Sequence, residues 1–431
     1  MKFYTIEEIS QICKVSQKTI RRQIAANFLK AKKIGNQWRI EEKDFEKWVN
    51  KDFNSMEKKE IEKWVNQNLN FQNSDSDKKT DEVNWINISD IWTSNKSDEE
   101  INYLDLLKEE NKKNGFNYID LFSGAGGLSL GFKKAGFKGL GGIEHTEQAV
   151  QTYKHNFDHP IIKGDIRKKR NKEELYSLVK EQDIDVICGG FPCKGFSLSG
   201  YRIITDKRNN LYKEMLEIVT KLKPKFVLME NVVGLRSMLN GKVEEKIIND
   251  FQNIGYDINV TVLNAANYYV PQTRKRVIFI GNRIDKPNYY PLPLLDKKRY
   301  LTIKDGIEDL MNHPKDKEFN HVQTRHSKDM KERLAAVKEG ESLYDNYSDA
   351  WKKSPWNEPS CTVKENHGGV NIHPKLPRVI TAREMARLQS FPDDFIFKGA
   401  KKWQLKQIGN AVPPLLSRAI ALAIQKSLEK N

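Results

Sequence analysis

Between residues 117 and 283, four strand-length apolar runs alternate with stretches of helical periodicity. They are YIDLF (118–122), DVICGG (185–190), FVLME (226–230) and RVIFIG (276–281). That alternation commits the chain to an α/β domain with a parallel sheet, because each helix returns the chain across a face so that the next strand runs the same way. Two shorter pieces, GLGGIE (139–144) and KGDI (163–166), fall between the first two runs and extend the same pattern. Helices are expected on both faces. In such a sheet ligands sit in the crevice outside the carboxyl ends of the strands, so residues at strand ends carry the functional information.

The chain has 431 residues, too many for one ordinary domain, and the regions outside 117–283 differ in character. In residues 1–50 a Thr5/Glu8 capping box opens a helix with Ile6, Ile9, Ile12 and Cys13 on one face. A turn at Lys14–Val15 leads to a second helix capped by Ser16, with Ile20 and Ile24 inward and Lys18, Arg21 and Arg22 outward. A hairpin with Gly35-Asn36 at its tip carries Trp38 and Ile40, and Phe45, Trp48 and Val49 mark a third helix. Residues 51–116 are rich in Lys, Glu, Asn, Ser and Asp, and we read them as a polar linker with some docking segments. Residues 284–377 interrupt the α/β pattern with Pro, Asn, Lys, Trp and Tyr, and helical periodicity returns over 378–431.

A net charge of +15 favours an anionic partner, of which nucleic acid is the commonest. The four cysteines (Cys13, Cys188, Cys193 and Cys361) form no CxxC pair, so neither a zinc site nor a disulfide framework is expected. No apolar run approaches the roughly 20 residues needed to span a bilayer. The N-terminus lacks a signal-peptide pattern, and a cytoplasmic, reducing location is expected.

Three strand ends point to one ligand. YIDLFSGAGGLSLGF (118–132) reads as a strand, a turn built on Gly124, Gly126 and Gly127, and a helix start whose amides favour a carboxylate. Glu144 closes the next strand, where it can accept from ribose hydroxyls, and Asp165 closes a third, where it can accept from an adenine amine. An adenosyl cofactor without phosphates, S-adenosylmethionine, fits this set. In VICGGFPCKGFS (186–197), Pro192-Cys193 follows a buried strand directly. Cys188 lies within the apolar run and reads as structural. Cys193 falls on a Gly-, Pro- and Ser-rich loop, where a thiolate forms more easily than the free value of about 8.5 allows.

Taken in order, the glycine loop (120–127), Pro192-Cys193, Glu230-Asn231-Val232, QTRKR (272–276) and QIGNAVPP (407–414) resemble the cytosine carbon-5 DNA methyltransferase family over about residues 117–431. The resemblance implies a class I methyltransferase-type, Rossmann-like sheet with a small irregular target-recognition lobe at 284–377, and methyl transfer from S-adenosylmethionine to a flipped cytosine. It makes Cys193 the nucleophile that adds to carbon 6 and Glu230 the hydrogen-bonding partner of ring nitrogen 3 and the exocyclic amine. It places Arg274 and Arg276 at the base oxygen and at nearby loop or phosphate groups. Phe122 would stack on adenine; Ser123, Leu128, Ile166, Pro192 and Leu211 would line the cofactor, and Asn410 with Val412 would close its methionine end. Lys194, where the family usually has Gln, and Ser197 would face DNA. Thr146 stands where an acid is common, which touches only ribose binding. The block 378–395 resembles the family segment that supports the recognition region and is assigned no catalysis.

Residues 2–50 resemble the winged helix-turn-helix of excisionase and MerR-type regulators, whose second helix enters the major groove, making Lys18, Arg21 and Arg22 DNA contacts. The expected partner is duplex DNA in the bacterial nucleoid, with a cognate restriction endonuclease as a functional partner. Two alternatives stand beside this reading. One is a regulator that represses its own operon through residues 1–50; the other is a transfer-RNA cytosine methyltransferase.

Overall fold

Strand β5 (Asn117–Leu121), formed by the apolar run YIDL, lies inside a seven-stranded sheet with a parallel neighbour on either side. The computed structural model describes residues 3–12, 20, 24, 29–34, 37–41, 44–45, 83–92, 102–192, 211–344, 351–364 and 371–430. They fall into two compact units, divided between Asp77 and Lys78.

In the first unit, β1 (Phe3–Thr5) leads into α1 (Ile6–Ile12), and β2 (Lys32–Ile34) pairs antiparallel with β3 (Gln37–Glu41). The β1 strand, absent from the sequence reading, adds to β3 to complete a three-stranded sheet. The capping box is present: Thr5 N donates to Glu8 Oε2 at 2.7 Å and Glu8 N to Thr5 Oγ1 at 3.1 Å. Ile6, Ile9, Ile20, Ile24, Leu29, Ile40 and Phe45 form its core. Lys18, Arg21, Arg22 and the Gly35-Asn36 tip lie outside the described residues.

The second unit opens with β4 (Asn84–Ile86), α2 (Ser89–Trp92) and α3 (Tyr103–Lys108). After β5 come α4 (Gly127–Lys134), β6 (Lys138–Glu144), α5 (Glu147–Asn156), β7 (Ile161–Lys163), α6 (Lys169–Leu178) and β8 (Val186–Gly189). Then follow α7 (Leu211–Leu222), β9 (Phe226–Val232), α8 (Lys242–Gln252), β10 (Asp257–Asn264) and β11 (Lys275–Asn282). The sheet order is β10-β11-β9-β8-β5-β6-β7. Strands β7, β6, β5, β8 and β9 are parallel, as expected. RVIFIG corrects the expectation of a wholly parallel sheet, because β11 runs antiparallel to both neighbours. The link from β10 is too short for a helical crossover, so the chain must turn back, and β11 slots between β10 and β9.

One face is covered by α4 and the C-terminal helix α13 (Pro414–Glu429), the other by α6, α7 and α8. Outside the sheet lie β12 (Tyr289–Pro291), α9 (Ile303–Ile307), α10 (Lys328–Ala336), α11 (Ala382–Leu388) and α12 (Lys401–Asn410). Helix α11 is buried along its whole length and starts at a Thr381/Glu384 capping box. Its Arg387 bridges Asp309 and Asp393, and Arg383 donates to the carbonyls of Phe319, Pro392 and Phe395. Two of these partners, Asp309 and Phe319, lie within 284–377, and the other three follow the helix itself.

The segment read as polar linker changes most. Strand β4 pairs in parallel with β12, and Ile88, Trp92, Tyr103, Leu106 and Leu107 join the core under α13. Trp92 stacks on Tyr269 (6.2 Å between centroids, 14° between planes) and lies 4.8 Å beneath the Arg418 guanidinium. Arg418 also donates to the Trp92 carbonyl (2.7 Å) and Asn111 Oδ1 (2.8 Å), and Tyr103 donates to the Arg387 carbonyl. Few but large apolar side chains spaced along polar sequence suffice to pin a strap. By the same packing, Tyr290 and Leu295 belong to the sheet core although they lie inside 284–377. Among the described residues no helix is long and apolar enough to cross a membrane.

Candidate active site

The glycine turn is shaped by contacts a larger residue would block. Phe122 (φ 58°) leaves β5 in the left-handed region, and Ser123 Oγ donates back to the Asp120 carbonyl at 2.6 Å. Gly126 (φ 95°) begins α4, and a Cβ there would stand 2.4 Å from the Phe157 ring. A Cβ on Gly127 would stand 2.3 Å from the Val412 carbonyl oxygen. Helix α13 enforces that approach, since Ser417 Oγ donates to the Leu128 carbonyl at 2.8 Å. The turn and QIGNAVPP, some 285 residues apart in sequence, are therefore neighbours. Val412 is buried there and Asn410 is exposed at the end of α12.

Glu144, at the end of β6, reaches the turn. Its Oε2 accepts from Gly124 N at 3.0 Å, its Oε1 from Thr146 N at 2.7 Å, and His145 Nδ1 lies 3.0 Å from Oε1. Burial pushes this carboxyl up, but the bonds from His145 and Thr146 prevail and hold it below its usual range. Thr146, the departure noted in the sequence, thus bonds Glu144 through its backbone. Asp165 follows β7, with Arg167 Nε 3.0 Å from both its oxygens, and Ile166 is buried beside it. Leu211 starts α7 facing the same core as Phe122.

A second group gathers where β8 and β9 end. Glu230 is buried on β9, and Arg276 Nε stands 2.7 Å from its Oε1. The pairing follows from register: Ile278 lies opposite Glu230, so Arg276, two residues away, projects from the same face. Burial draws the Arg276 guanidinium below its usual range, and Glu230 opposes that shift. A Cβ on Gly190 would stand 3.0 Å from Glu230 Oε2, so the carboxylate abuts the segment that leads to Pro192. Cys193, Lys194 and Ser197 lie outside the described residues.

Two residues that the sequence reading left without a role hold this group. Asn231 Nδ2 donates to the Phe191 carbonyl at 3.0 Å, anchoring the backbone two residues before Cys193. Gln272, fully buried, donates to the Leu388 carbonyl (2.9 Å) and accepts from Val363 N (3.0 Å). Both are buried polar residues, whose hydrogen-bonding groups need partners inside the protein.

Arg274 departs from its expected place at the base. It is 2% exposed, and its guanidinium donates to the carbonyls of Val363 (3.0 Å), Gly409 (2.9 Å) and Ala411 (3.0 Å). The reason is alternation: residues 274 and 276 share a face only while the strand is regular, and β11 begins at Lys275. Arg274 therefore braces QIGNAVPP against β11. Arg274→Met is expected to cost roughly 3–5 kcal/mol of stability by stranding the buried carbonyls of Val363 and Gly409 and leaving Ala411 only its bond from Gln389 Nε2. Urea unfolding measures this; an unchanged midpoint with lost activity would return Arg274 to the chemistry.

The sequence pattern described as C-5 cytosine-specific DNA methylase matches residues 116–426, and a helix-turn-helix domain pattern matches residues 3–52. The chain is 39% identical over 325 residues to the Type II methyltransferase M1.HphI of Haemophilus parahaemolyticus, covering 72% of this chain and 86% of the relative. It is 37% identical to M.DdeI of Desulfomicrobium norvegicum, covering 71% and 87% respectively. Among solved structures, one described as a DNA modification methyltransferase encoded within an E. coli prophage superposes with a TM-score of 0.61 at 29% identity, covering 73% of this chain and all of that one. The Entamoeba histolytica methyltransferase EhMeth (TM-score 0.53, 17% identity, 74% of this chain and all of that one) shares the fold.

Proposed function

The chain belongs to the C-5 cytosine-specific DNA methylase family and is a DNA cytosine-5 methyltransferase, and from that premise we propose how its own residues carry the reaction. The Cys193 thiolate adds to carbon 6 of a cytosine flipped from the duplex, because a stacked base cannot reach a loop at the sheet edge. The new bond makes the ring an enamine whose carbon 5 is nucleophilic. Glu230, carrying or sharing a proton, donates to ring nitrogen 3 and accepts from the exocyclic amine, selecting cytosine, and Arg276 holds the Glu230 side chain in place. The pair Glu230–Arg276, packed against Gly190 at the root of the Cys193 loop, is the observation that carries this reading. Asn231 positions that loop through Phe191.

S-adenosylmethionine supplies the electrophilic methyl group when bound. The residues fit it: Glu144 and Asp165 offer acceptors at successive strand ends, and the turn from Ser123 to Gly127 leaves room beside α4. Phe122, Leu128, Ile166, Pro192 and Leu211 would surround the adenosine, with Asn410 and Val412 at the methionine end. The part of 284–377 beyond Leu295 would read the DNA site, with Lys194 and Ser197 on the target strand. The named relatives are Type II methyltransferases, which supports a modification enzyme of a restriction–modification system working on nucleoid DNA in the cytoplasm beside a cognate endonuclease. The helix-turn-helix match over residues 3–52 favours a second role, binding its own promoter through Lys18, Arg21 and Arg22.

Bisulfite sequencing of a methylation-free bacterial host carrying the gene tests the reading. One short sequence motif protected at a single cytosine is expected. Unprotected cytosines throughout, with the protein expressed and folded, would sink it.

A further inference from the structure

Asp120 sits on β5 under the first turns of α4, and its carboxyl is fully buried. Ser129 Oγ donates to Asp120 Oδ2 at 2.6 Å, Tyr153 Oη lies 2.7 Å from Ser129 Oγ, and His159 Nε2 lies 2.7 Å from Tyr153 Oη. Each hydroxyl has one proton. Ser129 gives its proton to Asp120, so it accepts from Tyr153, which in turn accepts from His159 Nε2. The four groups form an unbranched line from a buried carboxyl to a half-buried imidazole. Strand β6 leaves room for its outer end, since a Cβ on Gly139 would stand 2.3 Å from the His159 ring. The same Tyr153 ring lies 3.1 Å from a Cβ placed on Gly126, so the line also underlies the glycine turn.

We propose that Asp120, Ser129, Tyr153 and His159 form a proton wire beneath the methyl-donor loop through which Asp120 exchanges its proton with solvent, and that Asp120, when ionised, favours a cationic sulfonium ligand over its neutral thioether product. The proposal rests on reading that loop as the S-adenosylmethionine site. Protonation of Asp120 is a relay in which a solvent proton binds His159 Nδ1 and His159 passes its Nε2 proton to Tyr153. Tyr153 then passes its own to Ser129, and Ser129 protonates Asp120 Oδ2. One proton enters from solvent, one arrives at the carboxyl, and every relay group ends neutral. Ionisation reverses the steps.

Burial pushes the Asp120 carboxyl up to about 7, against the lowering bond from Ser129, so its charge changes near neutral pH. The groups facing it are Tyr118 from β5, Ser129 from α4, Glu144 from β6, Tyr153 from α5 and the Cys188 thiol from β8. None of them is cationic, so no fixed positive charge masks its own. His159, held down to about 4 by burial, stays neutral across that range, as a relay must. A cationic ligand prefers the ionised carboxyl, so its affinity rises as pH passes upward through the transition and is lost below it.

Calorimetric titration of the full chain with S-adenosylmethionine and S-adenosylhomocysteine, between about pH 5.5 and 8.5, tests this. Affinity for the sulfonium is expected to fall up to about tenfold per pH unit below the transition, with the thioether changing less. Asp120→Asn should flatten that difference. Tyr153→Phe keeps the ring packing but removes the donor to Ser129, so it should move the transition to higher pH; this variant decides the matter if Asp120→Asn does not fold. A carbonyl stretch of protonated carboxyl, seen by infrared at low pH in unliganded protein and lost in Asp120→Asn, is the ligand-free readout. Identical pH profiles for wild type and both variants would overturn the wire. Failure of folded wild type to bind either ligand at any pH would instead overturn the reading of the loop.

Discussion

Cys193→Ser is expected to abolish methyl transfer while leaving binding to duplex DNA within a few-fold of wild type. The size of the loss follows from the nucleophile. Cytosine carbon 5 attacks a methyl donor only after the nucleophile has added to carbon 6, and a serine hydroxyl, far less ionised than a thiol at neutral pH, cannot take that step at a useful rate. A loss of at least about 10³-fold, or about 4 kcal/mol in activation free energy, is the expected order. Binding should survive because charge and the recognition lobe supply it, and the +15 net charge is altered by no serine. DNA incubated with the variant and S-adenosylmethionine, then digested with a methylation-sensitive nuclease, reports the chemistry; a gel shift at fixed salt reports binding. Full protection from digestion would sink the covalent mechanism.

The second large effect concerns where the enzyme begins. A chain of residues 78–431 is expected to fold and methylate, whereas 116–431, which spans the family match, is not. Removing 78–115 strips Ile88, Trp92, Tyr103, Leu106 and Leu107 from the core, each 5% exposed or less. At about 1.5–3 kcal/mol per buried apolar side chain, the five together are worth roughly 10 kcal/mol. That is comparable to the whole stability of an ordinary domain, about 5–15 kcal/mol. Arg418 would also lose Asn111 and the Trp92 carbonyl while remaining on α13, the helix whose Ser417 holds the glycine turn. Guanidinium unfolding of both chains is the measurement. Equal midpoints would show that the strap is ornament and not core.

Where sequence reasoning succeeded, the signal was local. The apolar run over 186–189 announces strand β8, and Thr5 with Glu8 announces a cap, because backbone geometry needs those residues within a few positions of each other. Where it fell short, the partner was remote. The segments 83–92 and 102–108 looked polar because their anchors are few, and only the complementary surface of α13 makes Trp92 a core residue.

The ordered blocks and the α/β class were determined by the sequence alone, since each rests on patterns of residues close together in the chain. The tertiary structure decided three other matters. It turned β11 antiparallel because its connection is too short to cross the sheet. It paired Glu230 with Arg276 while sending Arg274 to the carbonyls of Val363, Gly409 and Ala411, because the regular strand begins between the two arginines. And it ran a line of hydrogen bonds from Asp120 to His159 past Gly139 of β6. Each depends on which strands lie side by side, a long-range outcome of packing the whole core that no short window of residues contains.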